Sequence, residues 1–416
     1  MVFVCTLLAV VLGVSTYAWF IGMKTVKVSS FDVKIATTEG LFLSMDGENW
    51  SYTLDAKNTA AYETNTNTWA TTGLIPLSTV GDMDTQASRM KLYEKGSLTT
   101  TTGGYRLLTS RVQNFHVKDG VYEQGKGYVA FDSFIKNLSG TEYYVDNEPA
   151  NEEAIYLTTN SAVKVAADGI ENTGIENSVR VAFAQIGRVQ ATTETVADIT
   201  GITCTDKNKE ENATGTPVTG ICRSAQIWEP NDESHVENAI SWYNTSCLPR
   251  TGATVTDRAS YTTTEGAKCA TVENGTAYST YAISRALEIK DNVDVYDGTA
   301  YNGYGTNVSS YADYVAADET TRATLKLVDF PYFTDTMKVK KGTQRPEFMT
   351  LAPNSITKVR VYVFIEGQDI DNYDFASLGA KVLINFGFTK ERYTETDIGY
   401  DGPSTDITNV TEEASE

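Results

Sequence analysis

The sequence predicts an all-β protein: a jelly-roll-like β-sandwich with a long, loop-rich, cysteine-containing insertion and few short helices. Three observations carry this expectation. Apolar residues alternate with period two over long runs, turn dipeptides recur between the runs, and helical apolar spacing is scarce. The length, 416 residues, suits one large β-domain with insertions.

The chain opens with MVFVCTLLAVVLGVSTYAWFIGM, uncharged as far as Lys24. Val2–Val14 has the length of a signal-peptide core and is short for a membrane span. Thr16 and Ala18 are small enough for the two shallow pockets of a signal peptidase, which places the cut before Trp19. Residues 1–18 are then a signal peptide. If uncut, residues 1–23 are a membrane anchor or a pilin-type packing helix, and membrane contact is confined to them. A signal normally opens on Lys or Arg, and none stands here.

Residues 19–36 form an extended segment. Val26 and Val28 share one parity, while Phe31, Val33 and Ile35 share the other. A free strand of this kind exposes apolar side chains and unpaired backbone groups, and pairing with an open sheet edge satisfies both. Two readings stay open: exchange into a neighbouring copy, or an ordinary first strand.

Residues 37–190 hold the first part of the sandwich. Strands are expected at Leu41–Met45, Ala154–Leu157 and Val163–Val165, with faces formed by Val129, Phe131 and Ile135, and by Val179, Val181 and Phe183. Gln86–Lys95 is the best short amphipathic helix, Ser309–Ala317 a second, and Asn58–Thr72 reads as a polar surface loop. Residues 191–281 show little alternation and read as an insertion on one edge. Residues 282–395 complete the sandwich, with strands at Ala282–Ile289, Thr324–Val328, Ile356–Glu366 and Lys381–Phe388. In Ile356–Glu366, Val359, Val361, Val363 and Ile365 form one fully apolar face, opposite Arg360, Tyr362, Phe364 and Glu366. Asp46-Gly47, Asp119-Gly120, Asp168-Gly169, Asp297-Gly298 and Ala352-Pro353-Asn354 supply turns. Residues 396–416 are an acidic polar tail.

Beyond the leader the cysteines are Cys204, Cys222, Cys247 and Cys269. No CxxC spacing or histidine cluster accompanies them, so a zinc site is not expected. In an exported chain they read as two disulfides, although four free thiols suit a reducing niche. Of three connectivities, Cys204–Cys222 with Cys247–Cys269 closes two loops of about 20 residues, each worth about 3 kcal/mol on chain-entropy grounds.

Lys+Arg total 34 and Asp+Glu 54, a formal net charge of −20. Phosphate backbones and anionic headgroups repel such a surface, so nucleic acid is not an expected partner. Solubility outside the cell is favoured. Only two histidines, His116 and His235, are present; His116 is expected on a strand and His235 on the surface. No GxSxG, HExxH or phosphate-binding loop occurs, and no enzyme or cofactor is expected. Leu248-Pro249-Arg250-Thr251-Gly252 resembles a sorting pentapeptide, but polar mid-chain sequence follows it and it reads as a chance match. Glu366, Asp369, Asp371 and Asp374 make a candidate calcium loop, since hard oxygens at alternating positions can wrap that ion. The calcium reading is the weaker one, because the loop lacks the twelve-residue layout and closing Glu of an EF-hand, and the residues read first as a solvated acidic turn. Asn-x-Ser/Thr triplets, potential glycosylation sites, begin at Asn49, Asn137, Asn212, Asn244, Asn274, Asn307 and Asn409.

Thr16-Tyr17-Ala18-Trp19-Phe20, then a charged linker and Ser29–Ile35, resembles the start of the TasA and camelysin family of secreted matrix-fibre proteins, substrates of SipW-type signal peptidases. Gly127–Gly140 and Val359–Asp371 with the closing strand 381–388 are similar to that family's strands. The resemblance implies an extracellular or cell-surface subunit of a filament or biofilm matrix, with signal peptidase its partner during export. It implies head-to-tail self-assembly by donor-strand complementation, with Val26, Val28, Phe31, Val33 and Ile35 as the donor side chains. The alternative is a surface adhesin or carbohydrate-binding protein, anchored by the N-terminal helix.

Overall fold

The computed structural model describes residues 31–37, 40–55, 74–79, 81–101, 104–111, 115–118, 121–124, 127–167, 169–206, 210–211, 215–241, 273–277, 281–282, 301–302, 328–329, 332–339, 345–367, 369–373 and 381–393. The expectations for the leader with Thr16, Ala18 and Trp19, for Val26, Val28, Cys247, Cys269 and Asp374, and for Asn58–Thr72, Ser309–Ala317 and the tail lie outside the described residues.

The described residues form an all-β sandwich. Its main strands are β1 (Phe31–Thr37), β2 (Leu41–Ser44), β3 (Thr53–Asp55), β4 (Pro76–Ser78), β5 (Val129–Asn137), β6 (Glu153–Leu157) and β7 (Ala162–Val165). They continue with β8 (Val179–Gln190), β9 (Pro217–Gly220), β10 (Gln226–Glu229), β11 (Phe333–Thr334), β12 (Met349–Leu351), β13 (Ser355–Glu366) and β14 (Val382–Thr389). The smaller sheet runs β12-β6-β14-β1-β3, with β7 also paired to β14. The larger is built on β13, which lies antiparallel between β8 and β5. Beyond β5 lies β2, and beyond β8 lie β9 and β10.

The period-two pattern sets the packing. Val359, Val361, Val363 and Ile365 of β13, Val179, Val181 and Phe183 of β8, and Val129, Phe131 and Ile135 of β5 face the smaller sheet. There they meet Val33 and Ile35 of β1 and Val382, Ile384, Phe386 and Phe388 of β14. Phe183 touches Phe386 and Phe388 edge-on, with ring centroids 4.9 and 5.6 Å apart, closing the gap between the sheets. The opposite face of β13 is buried too. Tyr362 and Phe364 join Ala130, Phe134, Ala182 and Ala184 under a cover of Leu77, Met90, Leu92, Ile199, Ile202 and Tyr332.

Charged residues on that second face pair across strands. Asp132 and Arg360 are register partners, joined by Nε–Oδ1 at 2.7 Å and Nη2–Oδ2 at 3.0 Å. Lys358 Nζ lies 3.4 Å from Asp132. Burial pushes the Asp132 carboxyl up, but the two cations outweigh it and hold it below the usual range.

One expectation of secondary structure is corrected. Gln86–Lys95 is not a helix: Arg89–Met90 and Tyr93–Thr101 are strands, since Met90 and Leu92 project into the second core two residues apart. The loop-rich insertion also carries β9 and β10, which extend the larger sheet, and Trp228 of β10 is fully buried. Gly187 sits at a bulge in β8, where a Cβ would come within 2.7 Å of the Thr219 carbonyl.

Candidate functional site

β1 fills a slot between two strands of the smaller sheet. It runs parallel to β14, from Phe31 beside Val382 to Thr37 beside Phe388, and antiparallel to β3. Parallel neighbours cannot be joined by a tight hairpin, so β1 meets β14 only through backbone pairing and side-chain packing. Val33 and Ile35 are fully buried, while Lys34 between them is exposed. Each buried aliphatic contributes about 1.5–3 kcal/mol. At the strand's exit the Thr37 hydroxyl donates to the Leu41 carbonyl at 3.0 Å, and its backbone N–H donates to Tyr52 O at 2.9 Å. Gly40, with φ of +80°, then turns the chain into β2 of the other sheet.

The exchange reading had Phe31, Val33 and Ile35 filling a groove of another copy. In this chain Phe31–Thr37 pairs with its own β14, and Val33 and Ile35 complete their own core. The physical reason is that this edge of β14 would otherwise hold seven unpaired positions.

The acidic loop after β13 is spent on protein partners. Glu366 accepts hydrogen bonds from the hydroxyls of Ser78 and, at 2.8 Å, Tyr332. Asp369 accepts from Arg180 at 2.7 Å, and Arg180 also pairs with Glu229. Asp371 accepts the Val236 N–H and bonds His235 Nδ1, both at 2.8 Å. Arg180 and His235 therefore occupy carboxylate oxygens of Asp369 and Asp371, and two hydroxyls occupy those of Glu366. Among the described residues no group of three or more His, Cys, Asp and Glu side chains is arranged to hold a metal ion.

His235 is buried rather than at the surface. Its Nε2 lies 2.9 Å from the Thr276 carbonyl, so both ring nitrogens face acceptors and the ring is best satisfied as an imidazolium. Burial pulls its pKa down, and the bond and charge of Asp371 outweigh it and raise it. A ring so occupied is a strut rather than a free general base. Three carboxylates, Glu229, Asp369 and Glu366, act on Arg180. Glu229 is pushed up to about 7 by burial, against the pull of Arg180 and with the added push of Asp369, Asp232 and Glu366.

Cys204 and Cys222 are joined in a disulfide, with Cα atoms 5.4 Å apart. The bond ties the segment before β9 to the one after it, beside the second core. Sequence reasoning missed Arg180, Glu229 and Asp132 as network members, because their partners come from distant strands. Among the described residues no helix is long and apolar enough to cross a membrane. No protein-family model, curated protein or solved structure matches the chain.

Proposed function

We propose that the chain is a secreted structural subunit that assembles with itself, head to tail, into an extracellular filament or matrix fibre of the TasA and camelysin kind. In this proposal β1 is the exchanged strand. One observation supports the reading above the others: β1 supplies buried core residues from a strand that enters its slot without a hairpin. A second copy of β1 would make the same contacts in the same slot, so exchange conserves the burial of Val33 and Ile35 while joining two molecules. The self-filled slot is then the closed form. A head-to-tail exchange that does not close on itself grows as a filament.

Lys34 and Asn385 are register partners on β1 and β14, the first exposed and the second half-buried. A Lys34→Cys, Asn385→Cys variant, oxidised as a monomer, locks the strand at home. Electron microscopy should then show no filaments until reductant is added. Filaments from the oxidised variant, as abundant as those of the parent, would overturn strand exchange.

A further inference from the structure

Where the two sheets meet at one edge, three side chains from distant parts of the chain come together. Asn137 is the last residue of β5, Glu153 the first of β6, and Lys390 follows the end of β14. Lys390 Nζ lies 2.7 Å from Asn137 Oδ1. Glu153 Oε2 accepts from Asn137 Nδ2 at 2.9 Å and lies 3.0 Å from Lys390 Nζ. A single carboxylate oxygen thus touches both a primary amine and the amide nitrogen of the carboxamide beside that amine. The carboxamide is fixed: Asn137 is fully buried, and its Nδ2 also donates to the Ala352 carbonyl at 3.1 Å. Its burial removes Asn137 from the potential glycosylation sites.

We infer that Lys390 and Asn137 form an intramolecular isopeptide bond, with Glu153 as the proton relay. Nζ attacks Cγ of Asn137, so the Nζ–Cγ bond forms and the Cγ–Nδ2 bond breaks. Nζ gives up two protons, and the former Nδ2 leaves with them as ammonium. Glu153 takes each proton from Nζ and passes it to Nδ2, the two atoms it already holds. The charge that builds on Oδ1 is met by the Ser139 N–H at 3.3 Å. The amine is also prevented from diffusing away, which is the main obstacle to aminolysis of an amide. No oxidant or further reactant is needed. Side-chain exposure of 28% at Lys390 and 39% at Glu153 gives the ammonium a way out.

The Glu153 side chain stands as a carboxylate, the form that can take a proton from Lys390. Burial pushes it up, and the hydrogen bonds of Ser139, Asn137 and Lys390 outweigh this and keep it ionised at neutral pH. The bond would staple the larger sheet, through β5, to the smaller, through β14. It would join positions 253 residues apart in sequence. The inference stands without the filament reading, since it concerns bonds within one chain.

The test is peptide mapping by mass spectrometry of the reduced, full-length protein after storage at neutral pH. Expected is a branched peptide joining the Asn137 and Lys390 segments, lighter than their sum by one ammonia. Glu153→Gln should give linear peptides only, with an unchanged circular-dichroism spectrum. Lys390→Arg should do the same. Linear peptides alone from the wild-type protein would overturn the bond. A branched peptide of equal yield from Glu153→Gln would overturn the relay.

Discussion

Single residues decide how the buried charges are tolerated. Asp132 is paired with Arg360 and Lys358 deep under the second core. Removing it leaves two buried cations without their partner, so Asp132→Ala is expected to cost about 3–5 kcal/mol in urea unfolding. A loss below about 1 kcal/mol, the level of an exposed pair, would contradict that burial. Glu229 contributes to the pH dependence, beside Asp371, which burial pushes up to about 6. The folded pKa of Glu229, about 7, lies above the unfolded value of about 4.3. The folded state therefore binds the extra proton between those values. The contribution is full below about pH 4.3 and is lost as pH rises through about 7. Asp132 has the opposite sign, because its pKa is lowered: its contribution is present above about pH 3.9 and is lost as pH falls through the folded value. Glu229→Gln should flatten the fall of the urea midpoint between about pH 4.5 and 7; a slope equal to the parent's would contradict the assignment. None of these pairings was legible in the sequence. Asp132 and Arg360 stand 228 residues apart, and only the register of β5 on β13 brings them together. The alternation that put Arg360 opposite Val359 was legible, whereas the cover that buries both faces was not.

At the scale of elements, the long strands were read well because their period is two and their apolar faces are unbroken. β8, β13 and β14 fall where Val179–Phe183, Ile356–Glu366 and Lys381–Phe388 alternate. Gln86–Lys95 misled because Lys91, Glu94 and Lys95 lie three and four positions apart, as on a helix, while the burial of Met90 and Leu92 obeys strand spacing. The Cys204–Cys222 bond was legible from loop length, since the half-cystines are 18 positions apart. Replacing both by alanine should lower stability by about 3 kcal/mol, measured as a drop in the urea midpoint; an unchanged midpoint would make the bond idle. β1 itself was legible as a strand from Phe31, Val33 and Ile35, but alternation says nothing about whose sheet it joins. Ile35→Ala is expected to cost about 2–5 kcal/mol in the closed monomer. In the exchange proposal the same substitution also weakens the joint between copies, so filament yield should fall with it.

At the scale of the whole molecule, two sheets share one core, and a layer of loops and short strands covers the outer face of the larger. In the exchange proposal the smaller sheet is the one that opens, since β1 enters it from outside any hairpin and β3 beyond it is three residues long. A Lys390–Asn137 bond would anchor β14, the wall of the slot, to the larger sheet, so that tension applied through an exchanged strand would pass into both sheets. Net charge of −20 keeps free copies apart in solution at low salt, and assembly by strand exchange should accelerate as salt screens that repulsion. The most direct test of strand exchange mixes two single variants, Lys34→Cys and Asn385→Cys, lets them assemble, and oxidises the product. Strand exchange predicts disulfide-linked heterodimers on a non-reducing gel, above the background of the parent. Assembled fibres that yield no such heterodimers would contradict it.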